Sequence, residues 1–170
     1  DGTLSDLINN SIESGGKVVV FTNFTKVVDA VKKEFGENCV TLDGRVSIED
    51  RQANIQSFQK GIPQVCVCNY KVGSVGTTLT AGTVSIMNDL PWDPATLQQA
   101  MDRIHRIGQD KKVTIYFPVY TTTIDEIMFK VLKEKMNNIN EAIDGSSNEI
   151  KFKYKGSVAD EVYRLLKKRK

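Results

Sequence analysis

A chain of 170 residues is long enough for one well-packed α/β domain and short for two. Its 40% hydrophobic and 26% charged residues, with a net charge of +2, are typical of a soluble globular protein. The sequence has no apolar run near the roughly 20 residues that a membrane helix needs, and its first residues, DGTLSDLINN, lack the regions of a signal peptide, which argues against a membrane or secreted protein.

Apolar runs of the β type alternate with helical patterns along the chain. The predicted strands cover residues 17–22, 39–42, 64–68, 83–88 and 112–119, and the predicted helices cover residues 4–13, 25–35, 48–60, 94–107 and 122–138. Ser47, Asp93 and Thr123 are placed to cap three of these helices. Because the strands are apolar on both faces and separated by helices, the pattern predicts a doubly wound α/β domain with a parallel sheet and helices on both faces.

Two segments in the first third of the chain carry polar side chains that core packing does not explain. FTNF ends the first strand with Thr22 and Asn23, whose side chains can form hydrogen bonds at that edge of the sheet. Arg51 falls within the apolar arc of the third predicted helix, in a first turn where a cation opposes the helix dipole. We therefore expect it to have a partner, which is either an acid such as Asp43 or Asp50 or a bound phosphate.

The cysteines favour buried thiols over a metal site. Cys66 and Cys68 alternate within QVCVCN and share one face of a strand, and the third cysteine is Cys39. A zinc site needs further ligands close by, and His105 is the only histidine of the chain. We therefore predict no metal site and a reducing compartment, the cytoplasm or, in a eukaryote, the nucleus.

A loop rich in small residues follows the third predicted strand, in NYKVGSVGTTLTAG at 69–82. Its glycines, Gly73 and Gly76, allow a ligand to approach the backbone closely. Open α/β sheets bind ligands at the carboxyl ends of their strands, and backbone amides with hydroxyl groups suit phosphate or ribose. The side chains that add to this loop are Lys71, Ser74, Thr77 and Thr78.

The segment QQAMDRIHRIGQ places two arginines three residues apart. On a helix over 94–107, Arg103 and Arg106 project about 60° apart, with Gln99 beside them and Asp102 as the one acid nearby. The apolar arc of this helix holds Leu97, Ala100, Met101, Ile104 and Ile107. The pair is either a solvated surface feature, held in part by salt bridges, or a two-pronged clamp for phosphate, which suits the planar, always charged arginine.

The sequence contains no G-x-x-x-x-G-K-[ST] motif, carboxylate cluster or Ser-His-Asp set. An anion that meets the arginines is therefore bound mainly by something else. Residues 151–170 hold eight Lys and Arg against two acids. Such a tail either binds phosphate backbones or forms a solvated helix face.

Three stretches in this order resemble the C-terminal RecA-like lobe of Swi/Snf-type ATPases, which are double-stranded DNA translocases of helicase superfamily 2. They are KVVVFTNF, LDGRVSIEDRQANIQSF and VCVCNYKVGSVGTTLTAGTVSIMNDLPWDPATLQQAMDRIHRIGQ, and DRIHRIGQ after W-D-P is highly specific to that family. The resemblance covers residues 17 to about 135, and TTTIDEIMFKVLKEKM looks like the family's closing helix. In the glycine loop Ser74 stands where the family has glycine and Thr78 where it has asparagine.

The resemblance implies a role for each matching residue. Arg103 and Arg106 match arginine fingers that reach ATP, which together with Mg²⁺ is bound mainly by an N-terminal RecA-like lobe of the same protein. Residues at the ATP cleft are implied to be Gly73, Gly76, Gln99 and Asp102. Contacts to double-stranded DNA are implied for Thr22, Asn23, Arg51, Lys71, Ser74 and Thr77.

We therefore expect the second motor lobe of a DNA-dependent ATPase, of the kind that acts in chromatin remodelling or DNA repair. Residues 1–145 form the lobe, including the closing helix 122–138, and residues 146–170 form a basic appendage. By itself the chain is expected to be monomeric and to hydrolyse no ATP. The alternatives are a nucleic-acid-binding or interaction module that kept the fold without the motor, and the second lobe of a strand-separating helicase or restriction-enzyme motor.

Overall fold

The computed structural model describes residues 3–73, 77–105, 109–120 and 122–140. Its helices are α1 (Leu4–Glu13), α2 (Thr25–Phe35), α3 (Ile48–Lys60), α4 (Tyr70–Gly73), α5 (Pro94–Asp102) and α6 (Ile124–Asn140). Its strands are β1 (Val18–Thr22), β2 (Cys39–Leu42), β3 (Val65–Asn69), β4 (Val84–Met87) and β5 (Thr114–Tyr116). The described residues fall into two compact units, one of residues up to 89 with 96–118, the other of residues 90–95 with those from 119 onward.

The first unit is built on a five-stranded sheet in the order β2-β3-β1-β4-β5. All four strand pairs are parallel, and Val18 of β1 aligns with Val65 on one side and Val84 on the other. The side chains of β1 are fully buried on both faces of the sheet. The predicted doubly wound parallel sheet is confirmed.

The two faces of the sheet have separate cores. On one face, Ile8 of α1 and Val28 of α2 pack with Val18, Val20 and Val65 of the strands. Side chains alternate along a strand, so the intervening residues of β1 point to the opposite face. The predicted cysteine thiols lie in these cores: Cys39, Cys66 and Cys68 are free and buried, and burial raises the pKa of Cys39 to about 12.

Most predicted elements agree with the structure, but helix α5 is shorter than expected. The predicted helix over 94–107 is wrong at residues 103–105, which follow the end of α5 at Asp102, and its last two residues lie outside the described ones. Beyond Asp102 the backbone tightens, because the N–H groups of Arg103 and Ile104 donate three residues back, at 3.3 and 3.1 Å, instead of four. Strand β5 is also shorter than the predicted 112–119.

The outer strand β2 is bound by side chains from the helices beside it. Lys32 Nζ, from α2, donates to the carbonyl of Cys39 at 2.6 Å. Asn54 Nδ2, from α3, donates to the carbonyl of Thr41 at 3.0 Å. The strand at the other edge of the sheet, β5, has only three residues. Helical side chains thus occupy acceptors that an outer strand would offer to another strand.

The second unit contains the closing helix α6. The backbone N–H of Asp125 donates to the Thr123 hydroxyl at 3.3 Å, which confirms the predicted cap, and Glu126 pairs with Lys130 at 2.7 Å. Over residues 124–134 of α6, the buried side chains are Ile127, Met128, Val131 and Leu132. None of the helices described is long and apolar enough to cross a membrane. The predicted appendage, 146–170, lies outside the described residues.

Candidate functional site

A carboxylate two residues beyond β4, Asp89, holds the end of β1. The Thr22 hydroxyl donates to Asp89 Oδ2, and the backbone N–H and the Nδ2 group of Asn23 donate to Oδ1 at 2.9 and 2.7 Å. Thr22 is fully buried and Asn23 is exposed. The structure therefore brings these two predicted DNA contacts together, and only Asn23 of the two presents its side chain to solvent.

The end of β3 joins the same cluster. Asn69 Nδ2 donates to the carbonyl of Asn23 at 3.1 Å, and Asn69 Oδ1 accepts from the backbone N–H of Lys71 at 3.0 Å, which caps α4. The Tyr70 hydroxyl donates to the carbonyl of Asp89 at 2.8 Å. Burial, with the charge of Asp89 as a second cause, raises the pKa of Tyr70, so this hydroxyl stays a proton donor. Polar groups from β1, β3 and β4 thus converge at the carboxyl edge of the sheet.

The loop after β2 is fixed by an ion-pair network around Arg45. Its guanidinium binds the buried carboxylate of Asp43 through Nε and Nη2, and the exposed carboxylate of Asp29 at 3.1 and 2.7 Å. The hydrogen bonds from Arg45 hold the pKa of both carboxyls below the usual 3.8. Both acids therefore remain ionised at neutral pH and form charge-assisted hydrogen bonds with Arg45.

Arg51 has neither of the acid partners considered from the sequence. Its Nη2 donates to the backbone carbonyls of Val46 at 2.9 Å and Asp43 at 3.4 Å, and the Asp43 carboxylate is taken by the neighbouring arginine. Asp50 instead pairs with Ser47 at the start of α3, as its predicted cap. The Nε atom of Arg51 is buried without a hydrogen-bond partner in the described part of the chain. A carboxylate partner is therefore excluded for Arg51 among those two acids, and the phosphate alternative stays open.

Arg103 lies in the turn that follows α5, which we call the arginine turn (residues 103–105). Its Nη1 donates to the carbonyl of Thr77 at 3.3 Å, and its own carbonyl accepts from the N–H of Leu79 at 3.0 Å. Arg103 therefore does not project from the predicted helix, and its guanidinium is hydrogen-bonded to the backbone. Two predicted site residues, Arg103 and Thr77, are instead bonded directly, which connects the arginine turn to the segment that ends the glycine loop.

Gln98, the neighbour of the predicted cleft residue Gln99, makes a side-chain hydrogen bond at the end of α5. Gln98 Nε2 donates to Asp102 Oδ1 at 2.6 Å, and Gln98 is 6% exposed. Gln99 and Asp102, the two predicted cleft residues of this helix, are exposed. The structure therefore places both predicted side chains where a ligand can reach them, with Asp102 oriented from behind by Gln98.

Several predicted site residues lie outside the residues that the structure describes, or at the end of a described range. Arg106, Ser74 and Gly76 are outside the described residues. Lys71 is exposed on α4, a single helical turn where the sequence predicted only loop, and Gly73 ends that turn. Their roles stay predictions.

The sequence analysis did not identify three residues of these clusters, which are Gln98, Arg45 and Asp89. Gln98 and Asp102 are four positions apart on one helix, a spacing at which glutamine and aspartate pair, so that contact was predictable. Arg45 had a signal in its two-residue spacing from Asp43. Asp89 had none, because its partners lie 66 and 67 positions away.

The donor groups in these clusters suit an anion. Among residues 3–73, 77–105, 109–120 and 122–140, no group of three His, Cys, Asp or Glu side chains is placed to hold a metal ion. The side chains named above offer guanidinium and amide donors, from Arg51, Arg103 and Asn23, which fit phosphate oxygens. Guanidinium and amide N–H donors of this kind bind phosphate oxygens and do not ligate a divalent cation.

The sequence matches the family described as helicase conserved C-terminal domain over residues 2–108. It is 36% identical over 142 residues to an uncharacterized ATP-dependent helicase of Mycoplasma pneumoniae, across 81% of this chain and 14% of that protein. It is 34% identical over 139 residues to Protein CHROMATIN REMODELING 19 of Arabidopsis thaliana, across 79% of this chain and 18% of that protein. The chain thus spans less than a fifth of the length of these two relatives.

Solved structures show the same architecture. The C-terminal part of the Fun30 ATPase domain matches with a TM-score of 0.73 and 26% identity, over 98% of this chain and 53% of that chain. The Sulfolobus solfataricus SWI2/SNF2 ATPase core in complex with dsDNA matches with a TM-score of 0.63 and 27% identity, over 82% of this chain and 30% of that chain. With the parallel sheet and the family match, these similarities show that the chain belongs to the helicase conserved C-terminal domain family, as a RecA-like C-terminal lobe of the Swi/Snf type.

Proposed function

We propose that this chain is the second motor lobe of a DNA-dependent ATPase that translocates along double-stranded DNA. The family match supports ATP-dependent helicase chemistry, and the Sulfolobus core to which the fold is similar was solved on dsDNA. The observation that carries the proposal is the pair of hydrogen bonds between Arg103 and the Thr77–Leu79 segment. They connect the residue proposed to meet ATP with the loop proposed to meet DNA.

In this proposal ATP and Mg²⁺ are bound mainly by an N-terminal RecA-like lobe of the same protein. Arg103 and Arg106 reach the triphosphate across the cleft, where Gly73, Gly76 and Asp102 also lie, with Gln99. Bound Mg²⁺ would supply positive charge at the triphosphate. The arginines stabilise the charge on the transferring γ-phosphate, a contribution of roughly 10³–10⁵ in rate, about 4–7 kcal/mol.

The DNA contacts divide into two kinds according to exposure. Exposed Asn23 and Lys71 have side chains that can reach the phosphate backbone directly, whereas the Nε–H of the half-buried Arg51 is itself buried and meets a phosphate only after the side chain shifts. Ser74 completes this set from the glycine loop. The buried Thr22 and Thr77 (0% and 6% exposed) act by holding the backbone: Thr22 binds Asp89, and the Thr77 carbonyl binds Arg103. DNA that contacts both lobes favours closure and so stimulates hydrolysis.

The proposal is tested by removing the arginines from the full-length protein. We expect Arg103→Ala and Arg106→Ala each to lower DNA-stimulated ATP hydrolysis by about 10³-fold or more, because the transition-state charge loses its counter-charge. Phosphate release at saturating ATP and DNA measures this, and DNA affinity in a gel-shift or anisotropy assay is expected to stay within about threefold. Lys60→Ala, which removes an exposed charge at the far end of α3, is the control. Retained turnover in both arginine variants contradicts the assignment.

A second measurement separates the motor types left open by the sequence. A translocase displaces a third strand from a DNA triplex in an ATP-dependent manner without opening a forked duplex. A strand-separating helicase opens the fork. Fork opening in place of triplex displacement overturns translocation on duplex DNA and leaves the ATPase assignment intact.

A further inference from the structure

A short turn connects the glycine loop to β4, and it packs closely against β1 at Gly82. The turn Thr80–Gly82 is closed by a hydrogen bond from Gly82 N–H to the Leu79 carbonyl at 2.9 Å. A Cβ added at Gly82 would lie 2.8 Å from Cγ2 of the fully buried Val19 and 3.1 Å from the Leu79 oxygen. The turn therefore rests directly on β1, in a place that fits only glycine.

Gln109, from the chain after the arginine turn, binds this turn through its side-chain amide. Its Nε2 lies 2.8 Å from the carbonyl of Thr80, 3.1 Å from that of Gly82 and 3.3 Å from that of Ile104. Its two N–H groups thus serve three acceptors, one of them on the residue directly after Arg103. Its Oε1 accepts from the N–H of Lys111 at 3.1 Å, which fixes the amide orientation.

Gln59, from α3, binds the same turn from the other side. Its Oε1 accepts from the N–H of Ala81 at 2.7 Å, and its Nε2 lies 3.1 Å from the Thr80 hydroxyl. We call Gln59, Gln109 and the turn between them the glutamine clasp. Both glutamines are half-buried, so their hydrogen bonds are partly shielded from competing water.

The clasp meets Arg103 through the backbone. The residue before the turn, Leu79, donates its N–H to the Arg103 carbonyl at 3.0 Å, and Ile104, which follows Arg103, accepts from Gln109 at 3.3 Å. The backbone is therefore held at the carbonyls of Arg103 and of the residue that follows it, while α3 is held to the same turn through Gln59. Displacement of this turn carries Arg103 with it.

We propose that Gln109 and Gln59 are positioning residues for the reaction: the clasp sets the position of Arg103 relative to bound ATP. This inference rests on the proposed function, because it gives Arg103 its role at the triphosphate. A finger misplaced by about 1 Å loses on the order of 100-fold in rate. The clasp therefore acts on the chemical step and leaves the binding of ATP and DNA unchanged.

The test is made in the full-length protein with variants of matched size. Gln109→Glu places a carboxylate against three carbonyl oxygens, none of which can donate, and is expected to lower kcat for DNA-stimulated ATP hydrolysis about 10- to 100-fold. The KM for ATP and the Kd for DNA are expected to stay within about threefold. Gln56→Glu makes the same chemical change at an exposed position of α3 and is the control.

A second pair of variants distinguishes the clasp from a general loss of stability. Gln59→Leu removes both hydrogen bonds and is expected to lower kcat about tenfold. Gln59→Glu is expected to lower it less, because its carboxylate can still accept from Ala81 N–H and from the Thr80 hydroxyl, which rotates to donate. Equal kcat losses in these two variants, or a loss in KM and Kd instead of kcat, overturn the proposal.

Arg103→Ala, measured in parallel, separates the two levels of inference. If Arg103→Ala abolishes turnover and a folded Gln109→Glu or Gln59→Leu keeps the wild-type kcat, the clasp is wrong and the proposed function stands. If Arg103→Ala keeps turnover, the role proposed for Arg103 at ATP is wrong and the clasp with it, whereas the proposed function falls only if Arg106→Ala keeps turnover as well. Thermal unfolding of each variant shows which of them are folded at the assay temperature.

Discussion

Gly82 shows how a single residue sets the packing next to Arg103. We expect Gly82→Ala to lower the free energy of unfolding by about 1–3 kcal/mol, because its Cβ overlaps a methyl group of Val19, whose side chain is stiff and fully buried. Gly44→Ala is the matched control, since a Cβ there has no atom within 4 Å. Denaturant unfolding of the purified chain measures both. A Gly82 variant as stable as the Gly44 variant contradicts this account.

For single residues, hydrogen-bond partners were predictable from the sequence where the two residues are only a few positions apart. The capping of Asp50 by Ser47 was predictable, because the two residues are three positions apart. The Asp89 cluster was not, because β1 and β4 become neighbours only when β4 crosses to the far side of β1. The partners of Arg51 were not predictable for a related reason. They are backbone carbonyls, and because every residue has one, the sequence does not single them out.

Helix α3 is the element that joins two of the proposed functional contacts, since it carries Arg51 in its first turn and Gln59 in its last. Its start depends on Ser47, whose hydroxyl accepts from the N–H of Asp50 at 3.0 Å and donates to its carboxylate at 2.8 Å. A change at the cap therefore affects the helix that holds both residues.

We expect Ser47→Ala to destabilise the chain by about 1 kcal/mol, because an N–H group of the first turn loses its acceptor. Ser57→Ala, at an exposed position later in the same helix, is expected to be neutral or slightly stabilising, since alanine favours helix. Denaturant midpoints for the two variants give the comparison. Equal midpoints would show that the cap contributes nothing measurable.

Element positions were predictable to within one or two residues for most strands and helices, because hydrophobic period and caps are local signals. The end of α5 was not. Leu97, Ala100 and Ile104 fit one apolar arc and are buried, so the pattern continued past Asp102 as if the helix did. The hydrogen bond from Leu79 N–H to the Arg103 carbonyl is a tertiary contact, and no periodicity in the segment encodes it.

At the scale of the whole molecule, this lobe by itself is expected to hydrolyse no ATP. The sequence holds no phosphate cradle of the G-x-x-x-x-G-K-[ST] kind, and in the proposed function the triphosphate is bound mainly by the N-terminal lobe. Phosphate release by the purified 170-residue chain, with saturating duplex DNA and Mg²⁺, is expected at the background level. The full-length protein is the positive control, and DNA-stimulated turnover by the chain alone contradicts the two-lobe account.

The hydrogen bonds of Lys32 and Asn54 to β2 also bear on how copies of the lobe behave when they are crowded. A second molecule could continue the sheet at this strand only by first displacing both side chains from the carbonyls of Cys39 and Thr41. At the opposite edge, three residues of β5 give an incoming segment too few partners to compensate for its loss of conformational freedom. We therefore expect the hydrogen bonds from α2 and α3 to β2 also to disfavour the addition of further strands, and with it the formation of fibrous aggregates.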